Sequence, residues 1–122
     1  MSPRNETNDA RRQTPANKPS KARHAPPAWA AAMIPPGAIL VWSHRNGKRS
    51  QGANRFGKYI TICAGNDPEE TRYVLLHEIV HWTTRNMRHD RVFYKDMAEA
   101  CRKWGFTQAF AEAREEMTGW WA

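Results

Sequence analysis

Three of the five histidines, His77, His81 and His89, fall close together, and the first two frame the pentapeptide His77-Glu78-Ile79-Val80-His81. This is the H-E-x-x-H pattern. On a helix, residues four apart stand one above the other, so two imidazoles can reach one Zn²⁺ at about 2.0 to 2.1 Å. Glu78, offset by one position, faces water at the metal without ligating it. Zinc lowers the pKa of that water toward about 7, and a neighbouring carboxylate can take its proton as hydroxide attacks a carbonyl. The plain alternative is a helix whose two histidines and glutamate have no chemical consequence.

A catalytic zinc takes a third protein ligand and keeps its fourth position open. His89 is the candidate, eight residues after His81. The chain would leave the helix, turn near Asn86 and return an imidazole to the metal. Asparagine tolerates the left-handed conformation such a turn needs, and no glycine is present there. If His89 is instead an exposed loop histidine, Asp96 or Glu99 becomes the third ligand. Tyr94 could donate to a developing oxyanion or could simply pack in the core.

These residues need elements to position them. Asp67-Pro68-Glu69-Glu70 predicts a helix start, with Asp67 as cap, Pro68 at the first helical position and Glu70 completing a capping box. The helix is expected to run to about Arg85. Leu75, Leu76, Ile79 and Val80 share one face, and His77, Glu78 and His81 cluster on the other, which separates core from chemistry. Upstream, Ala38-Ile39-Leu40-Val41-Trp42 reads as a buried strand. Asn46-Gly47 signals a two-residue hairpin, and Tyr59-Ile60-Thr61-Ile62-Cys63 alternates as a second strand. Downstream, Phe93, Met97, Ala100 and Trp104 recur at helical spacing, Gly105 interrupts, and Phe106, Phe110, Ala113 and Met117 repeat the pattern; Trp120 and Trp121 follow. The expectation is an α+β fold, with a short antiparallel sheet packed on about three helices.

Seven of the eight prolines lie in residues 1–36, and residues 1–24 carry six Lys or Arg against two acids. Such a segment has too little apolar side chain to offset its ordering entropy. Residues 1–36 are therefore expected to be a flexible basic tail and residues 37–122 the folded domain, where a bound metal would add a useful constraint at this size. No apolar run approaches the roughly 18 residues of a membrane span. The longest, Ala28 to Ile34, stops at Pro35-Pro36 and is not followed by a signal-peptide cleavage pattern. Cys63 and Cys101 lie far apart without C-x-x-C spacing, which suggests neither a disulfide scaffold nor a cysteine zinc site and points to a reducing compartment.

The 122 residues carry a formal charge of +7, which favours polyanionic partners. Arg45, Lys48, Arg49, Arg55 and Lys58 interleave with Trp42, Phe56 and Tyr59 without an acid, a composition suited to single-stranded nucleic acid if the cations track phosphates and the aromatics stack on bases. A solvated basic loop with its aromatics turned inward fits the same residues. An extended peptide could add to an exposed strand edge, and Lys58 to Cys63 is the expected platform unless that strand is paired or covered.

Leu75-Leu76-His77-Glu78-Ile79-Val80-His81, followed by His89-Asp90-Arg91-Val92-Phe93-Tyr94, resembles the SprT-like and WLM families of zincin metallopeptidases. Those families pair H-E-x-x-H with a later H-[GD]-x-x-F, which His89, Asp90 and Phe93 match. The resemblance covers about residues 37–105 and is specific across residues 74–97. It implies a small zincin-like domain of minimal gluzincin type, zinc held by His77, His81 and His89, Glu78 as general base, and a strand edge presented to a protein or peptide substrate. Members of these families act on proteins bound or crosslinked to DNA, so the resemblance also implies a DNA-associated, cytoplasmic or nucleoid setting. The chain departs from larger members in lacking a cysteine zinc ribbon, and its linker between His81 and His89 is its own. His81-Trp82-Thr83 is similar to zincin-like domains of antirestriction proteins, whose third ligand is usually acidic. That second resemblance implies the alternative of a zinc-containing nucleic-acid or protein binding module without proteolysis.

Overall fold

The computed structural model describes residues 24–47, 49–55 and 58–115. Residues 1–23 of the basic tail, Lys48, Phe56, Met117, Trp120 and Trp121 lie outside the described residues. The element order is α1 (Ala28–Met33), β1 (Ile39–His44), β2 (Gln51–Arg55), β3 (Tyr59–Ala64), α2 (Pro68–Thr84), α3 (Arg91–Lys103) and α4 (Gln108–Glu115). The α+β class is as expected, but the described residues hold four helices where about three were foreseen.

The sheet is mixed rather than antiparallel, in the order β1-β3-β2. β3 lies in the centre, parallel to β1 from Ile39↔Tyr59 to His44↔Ala64 and antiparallel to β2 from Gln51↔Cys63 to Arg55↔Tyr59. Its alternation reads correctly from sequence, since Ile60, Ile62 and Ala64 are buried. Asn46-Gly47 does turn, with Gly47 at φ 66°, yet it does not join β1 to β3 as a hairpin. The chain instead passes to β2, and the tight return is at the next connection, where Lys58 N–H bonds the Arg55 carbonyl at 2.9 Å. β2 escapes pattern reading because Gln51-Gly52-Ala53-Asn54-Arg55 has no apolar alternation and none of its residues is fully buried. Its pairing with β3 and its contact with α2 define it as a strand.

The fold also begins before Gly37. His24 N–H bonds the Trp42 carbonyl at 3.0 Å, Trp29 meets Trp42 edge to face at 5.8 Å, and Ala30 and Met33 of α1 enter the core. The expected boundary at residue 36 is therefore too late. Pro26 and Pro27 suit the entry to a short helix, and Pro35-Pro36 end it because proline cannot continue the hydrogen-bond ladder.

α2 is the central helix. Asp67 caps it by accepting from the N–H groups of Glu69 and Glu70 at 3.0 and 3.4 Å, with Pro68 in the first turn. The sheet packs against one side and α3 against another, so burial extends beyond Leu75, Leu76, Ile79 and Val80 to Glu78 and His81. The expected separation of core and chemistry on α2 is thus corrected in part: neighbouring elements bury Glu78 and His81 as well, while His77 is half-buried. Asp90 caps α3 through Phe93 N–H at 2.9 Å, and Phe93, Met97, Ala98 and Cys101 are its buried residues. Each large apolar side chain so enclosed contributes about 1.5–3 kcal/mol relative to exposure. Gly105, at φ 85°, turns the chain toward α4; Phe106 is buried and Phe110 packs on the core as the spacing predicts, whereas Ala113 is exposed and Ala111 is buried in its stead. Cys63 and Cys101 form no disulfide, and no described helix is long and apolar enough to cross a membrane.

Candidate metal centre and adjoining cleft

α2 ends at Arg85, the one described non-glycine residue with positive φ, at φ 57° and ψ 30°. The left-handed turn therefore falls on Arg85 and not on Asn86. Asn86 serves the loop through its polar atoms instead. Its side-chain oxygen accepts from Arg88 N–H at 2.9 Å, its amide donates to Asp90 Oδ1 at 3.2 Å, and its carbonyl lies 2.5 Å from His81 Nδ1. The Phe93 N–H and then the Asn86 amide hold the Asp90 carboxyl below its ordinary value, because both bonds favour the charged form.

This loop returns His89 to the two histidines of α2. The Nε2 atoms of His77, His81 and His89 form a triangle with all three sides at 3.1 Å. His81 is buried, His77 half-buried and His89 exposed. A carbonyl oxygen can only accept, so His81 Nδ1 carries the proton toward Asn86 and Nε2 presents its lone pair to the other two rings. That is the outer-shell bond by which metal-binding imidazoles are commonly oriented. Three nitrogens about 2.05 Å from one tetrahedral ion stand about 3.3 Å apart, so the observed triangle fits a metal ion with a shift of a few tenths of an ångström. The donor set, three imidazoles, suits a first-row divalent metal.

Phe93 holds the rings in place. It is fully buried, stacks on His81 at 4.2 Å and 17°, and meets His77 and His89 at 5.0 and 5.4 Å. Tyr94 lies beyond His89, with ring centroids 6.3 Å apart. Asp96 and Glu99, the alternative ligands, border a separate depression with Val80, Thr83 and Lys103. Among the described residues, the histidine atoms are the ones that converge.

Glu78 is buried beside this triangle, and β2 is what confines it. Asn54 Nδ2 donates to the Glu78 carbonyl at 2.6 Å and approaches its Oε1 at 3.4 Å. At Gly52, an added Cβ would lie 2.8 Å from Glu78 Cγ and 3.1 Å from its Oε2, so only glycine permits this approach. Neither residue was singled out from sequence. The available signal was a glycine between two polar stretches, which can mark close backbone approach.

The stretch expected to offer an open strand edge does not do so. Tyr59 to Cys63 lies in the central strand and is paired on both sides, with Lys58 just before it, whereas among the described residues β2 is an edge strand next to Glu78. A cleft of about 380 Å³ runs along β2 and α2, lined by Gly52, Val74, His77 and Glu78 and, beside Glu70, by Arg49 and Arg114. Glu70 does not turn back to complete a capping box. Its carboxylate accepts from Arg49 Nε at 3.0 Å, Arg114 Nη1 at 2.8 Å and Ser50 N–H at 3.3 Å.

The basic, aromatic stretch does not assemble as one described surface. Trp42 is buried in the core, and Arg49 is paired with Glu70. The strand register sets Arg45 and Arg49 near one end of the sheet and Arg55, Lys58 and half-exposed Tyr59 near the other. Comparisons with protein-family models, curated proteins and solved structures gave no match.

Proposed function

We propose that the chain is a small zinc metallopeptidase of zincin type, with His77, His81 and His89 as the zinc ligands and Glu78 as the general base. The observation that carries this reading is the convergence of three Nε2 atoms beside a confined carboxylate, at the head of a cleft bordered by an open strand edge. Zinc held by these residues would supply Lewis acidity, which makes water a nucleophile near neutral pH and polarises a carbonyl.

The chain's own groups supply the rest. Glu78 takes a proton from the attacking water and can return it to the leaving amine, a role that needs a fixed carboxylate within hydrogen-bond reach. Asn54 and Gly52 fix it by holding the helix backbone and closing the space around Cγ. The free edge of β2 can bind an extended peptide through backbone hydrogen bonds and set the scissile carbonyl beside Glu78. Phe93 packs against all three imidazoles, and the Asn86 carbonyl sets the tautomer of His81. Tyr94, next to His89, is the candidate donor to the developing oxyanion.

Zinc content and hydrolysis of an unfolded protein, measured on the full chain, Glu78→Gln and His89→Ala, test this assignment. The full chain is expected to hold one zinc and hydrolyse, Glu78→Gln to keep zinc and lose hydrolysis, and His89→Ala to lose both. Undiminished proteolysis by Glu78→Gln would overturn it. An association with DNA-bound proteins, and with it an intracellular setting, is proposed on the charge of +7 and is tested by the salt dependence of DNA binding.

A further inference from the structure

The far end of the cleft holds an ion cluster that the proposed hydrolysis does not use. Glu70 is 6% exposed, and two guanidiniums converge on the same Oε2, Arg49 through Nε and Arg114 through Nη1. One carboxylate offsets one of these charges, so the cluster of Glu70, Arg49 and Arg114 carries a net positive charge. Among the described residues, the remaining guanidinium nitrogens of Arg49 and Arg114 have no hydrogen-bond partner; Arg114 also lies over the Phe110 ring at 5.3 Å. The bound carboxylate is itself anchored, because Ser50 N–H bonds its second oxygen and Ser50 Oγ is tied to Thr71 Oγ1 at 2.7 Å and to Gly65 N–H at 2.8 Å. The two forks are thus held by a rigid base and line the same cleft as His77 and Glu78.

Spacing connects this end to the chemistry. Glu70 precedes His77 by two helical turns, about 10 Å along the axis, which is the reach of about three residues of extended peptide. Guanidinium forks recognise carboxylates by paired, charge-assisted hydrogen bonds. We propose that Arg49 and Arg114 form a carboxylate-binding subsite, so that a preferred peptide carries an acidic side chain, or its own C-terminal carboxylate, about three residues from the bond placed at Glu78. This inference rests on the peptidase reading for the identity of the ligand, while the charge surplus stands on the geometry alone.

The test measures binding of labelled, otherwise uncharged decapeptides to the zinc-loaded full chain carrying Glu78→Gln. A single Glu or Gln is moved along the peptide, and the C terminus is either a free acid or an amide. At low salt, one carboxylate position is expected to bind about fivefold or more tighter than its neutral counterpart, the scale of one partly solvated charged contact. That advantage should vanish in Arg49→Gln, whose side chain is 77% exposed and carries little packing, and in Arg114→Gln. An advantage for an internal Glu identifies a side-chain carboxylate, and one confined to the free acid identifies the chain terminus. Equal binding of every charged and neutral pair, absence of binding, or an advantage that survives Arg49→Gln would overturn the subsite. Cleavage by the unsubstituted chain is measured separately. Cleavage without a carboxylate advantage refutes the subsite and keeps the peptidase, whereas the advantage without cleavage does the opposite.

Discussion

Gly52→Ala sets strand propensity against tertiary contact. Glycine inside a strand costs about 0.5–1 kcal/mol relative to alanine, so propensity alone makes this substitution stabilising. The structure reverses the sign. The new Cβ would stand 2.8 Å from Glu78 Cγ and 3.1 Å from Ile62 Cδ1. Carbon atoms settle at about 3.5–4.0 Å, so the first contact is too close by about 0.7 Å or more. Ile62 is fully buried, which blocks one direction of relief, and the Asn54 bond to the Glu78 carbonyl resists separation of strand and helix. Overpacking of this kind costs about 1–3 kcal/mol, and after the propensity gain is subtracted roughly 0–2.5 kcal/mol of net destabilisation is left, centred near 1 kcal/mol. If the strain is relieved by moving the Glu78 carboxylate, a displacement near 1 Å is expected to lower hydrolysis by about 100-fold while the histidine ligands stay in place. Urea denaturation, zinc content and hydrolysis are measured together, with Ala53→Gly on the outward side of the same strand as control. A Gly52→Ala protein that is more stable than the parent and hydrolyses at the same rate would refute the confinement of Glu78 by β2.

Two further outcomes follow from the loop and its support. Phe93→Ala is expected to destabilise the fold by about 3–5 kcal/mol and to weaken zinc binding, and Phe93→Leu to recover most of the stability but less of the affinity, because an aliphatic side chain fills the volume without the ring stack on His81; denaturation and metal competition separate the two effects. Asp90 has a depressed pKa in the fold, so its contribution to stability is present above the ordinary aspartate range and is lost as pH falls through the lowered value. Asp90→Asn keeps a capping oxygen without that titration. In chelator, the stability difference between parent and variant should shrink on acidification below about pH 4, and a pH-independent difference would contradict the assigned bonds.

The sequence alone determined the features that depend on local periodicity and residue chemistry. Asp67 and Pro68 start a helix because their side-chain acceptor and fixed φ suit its first turn, and H-E-x-x-H on that helix places two imidazoles together by its 3.6-residue period. The β-branched alternation of Ile60 and Ile62 marked a buried strand. What escaped local reading depended on partners distant in sequence. Gln51–Arg55 carries no apolar alternation and is a strand because β3 and α2 supply its hydrogen bonds and neighbours. Parallel pairing of β1 with β3 depends on where that polar strand inserts, which moves the open edge from Lys58–Cys63 to β2. Glu70 fitted a capping box by spacing, but Arg49, Ser50 and Arg114 offer its carboxylate stronger partners than one backbone N–H. His89 could be proposed from the sequence, but its convergence with His77 and His81 required the left-handed Arg85, the Asn86 and Asp90 bonds and the Phe93 ring together. Each of those acts across the turn between two helices, where periodicity carries no information and three-dimensional contact decides.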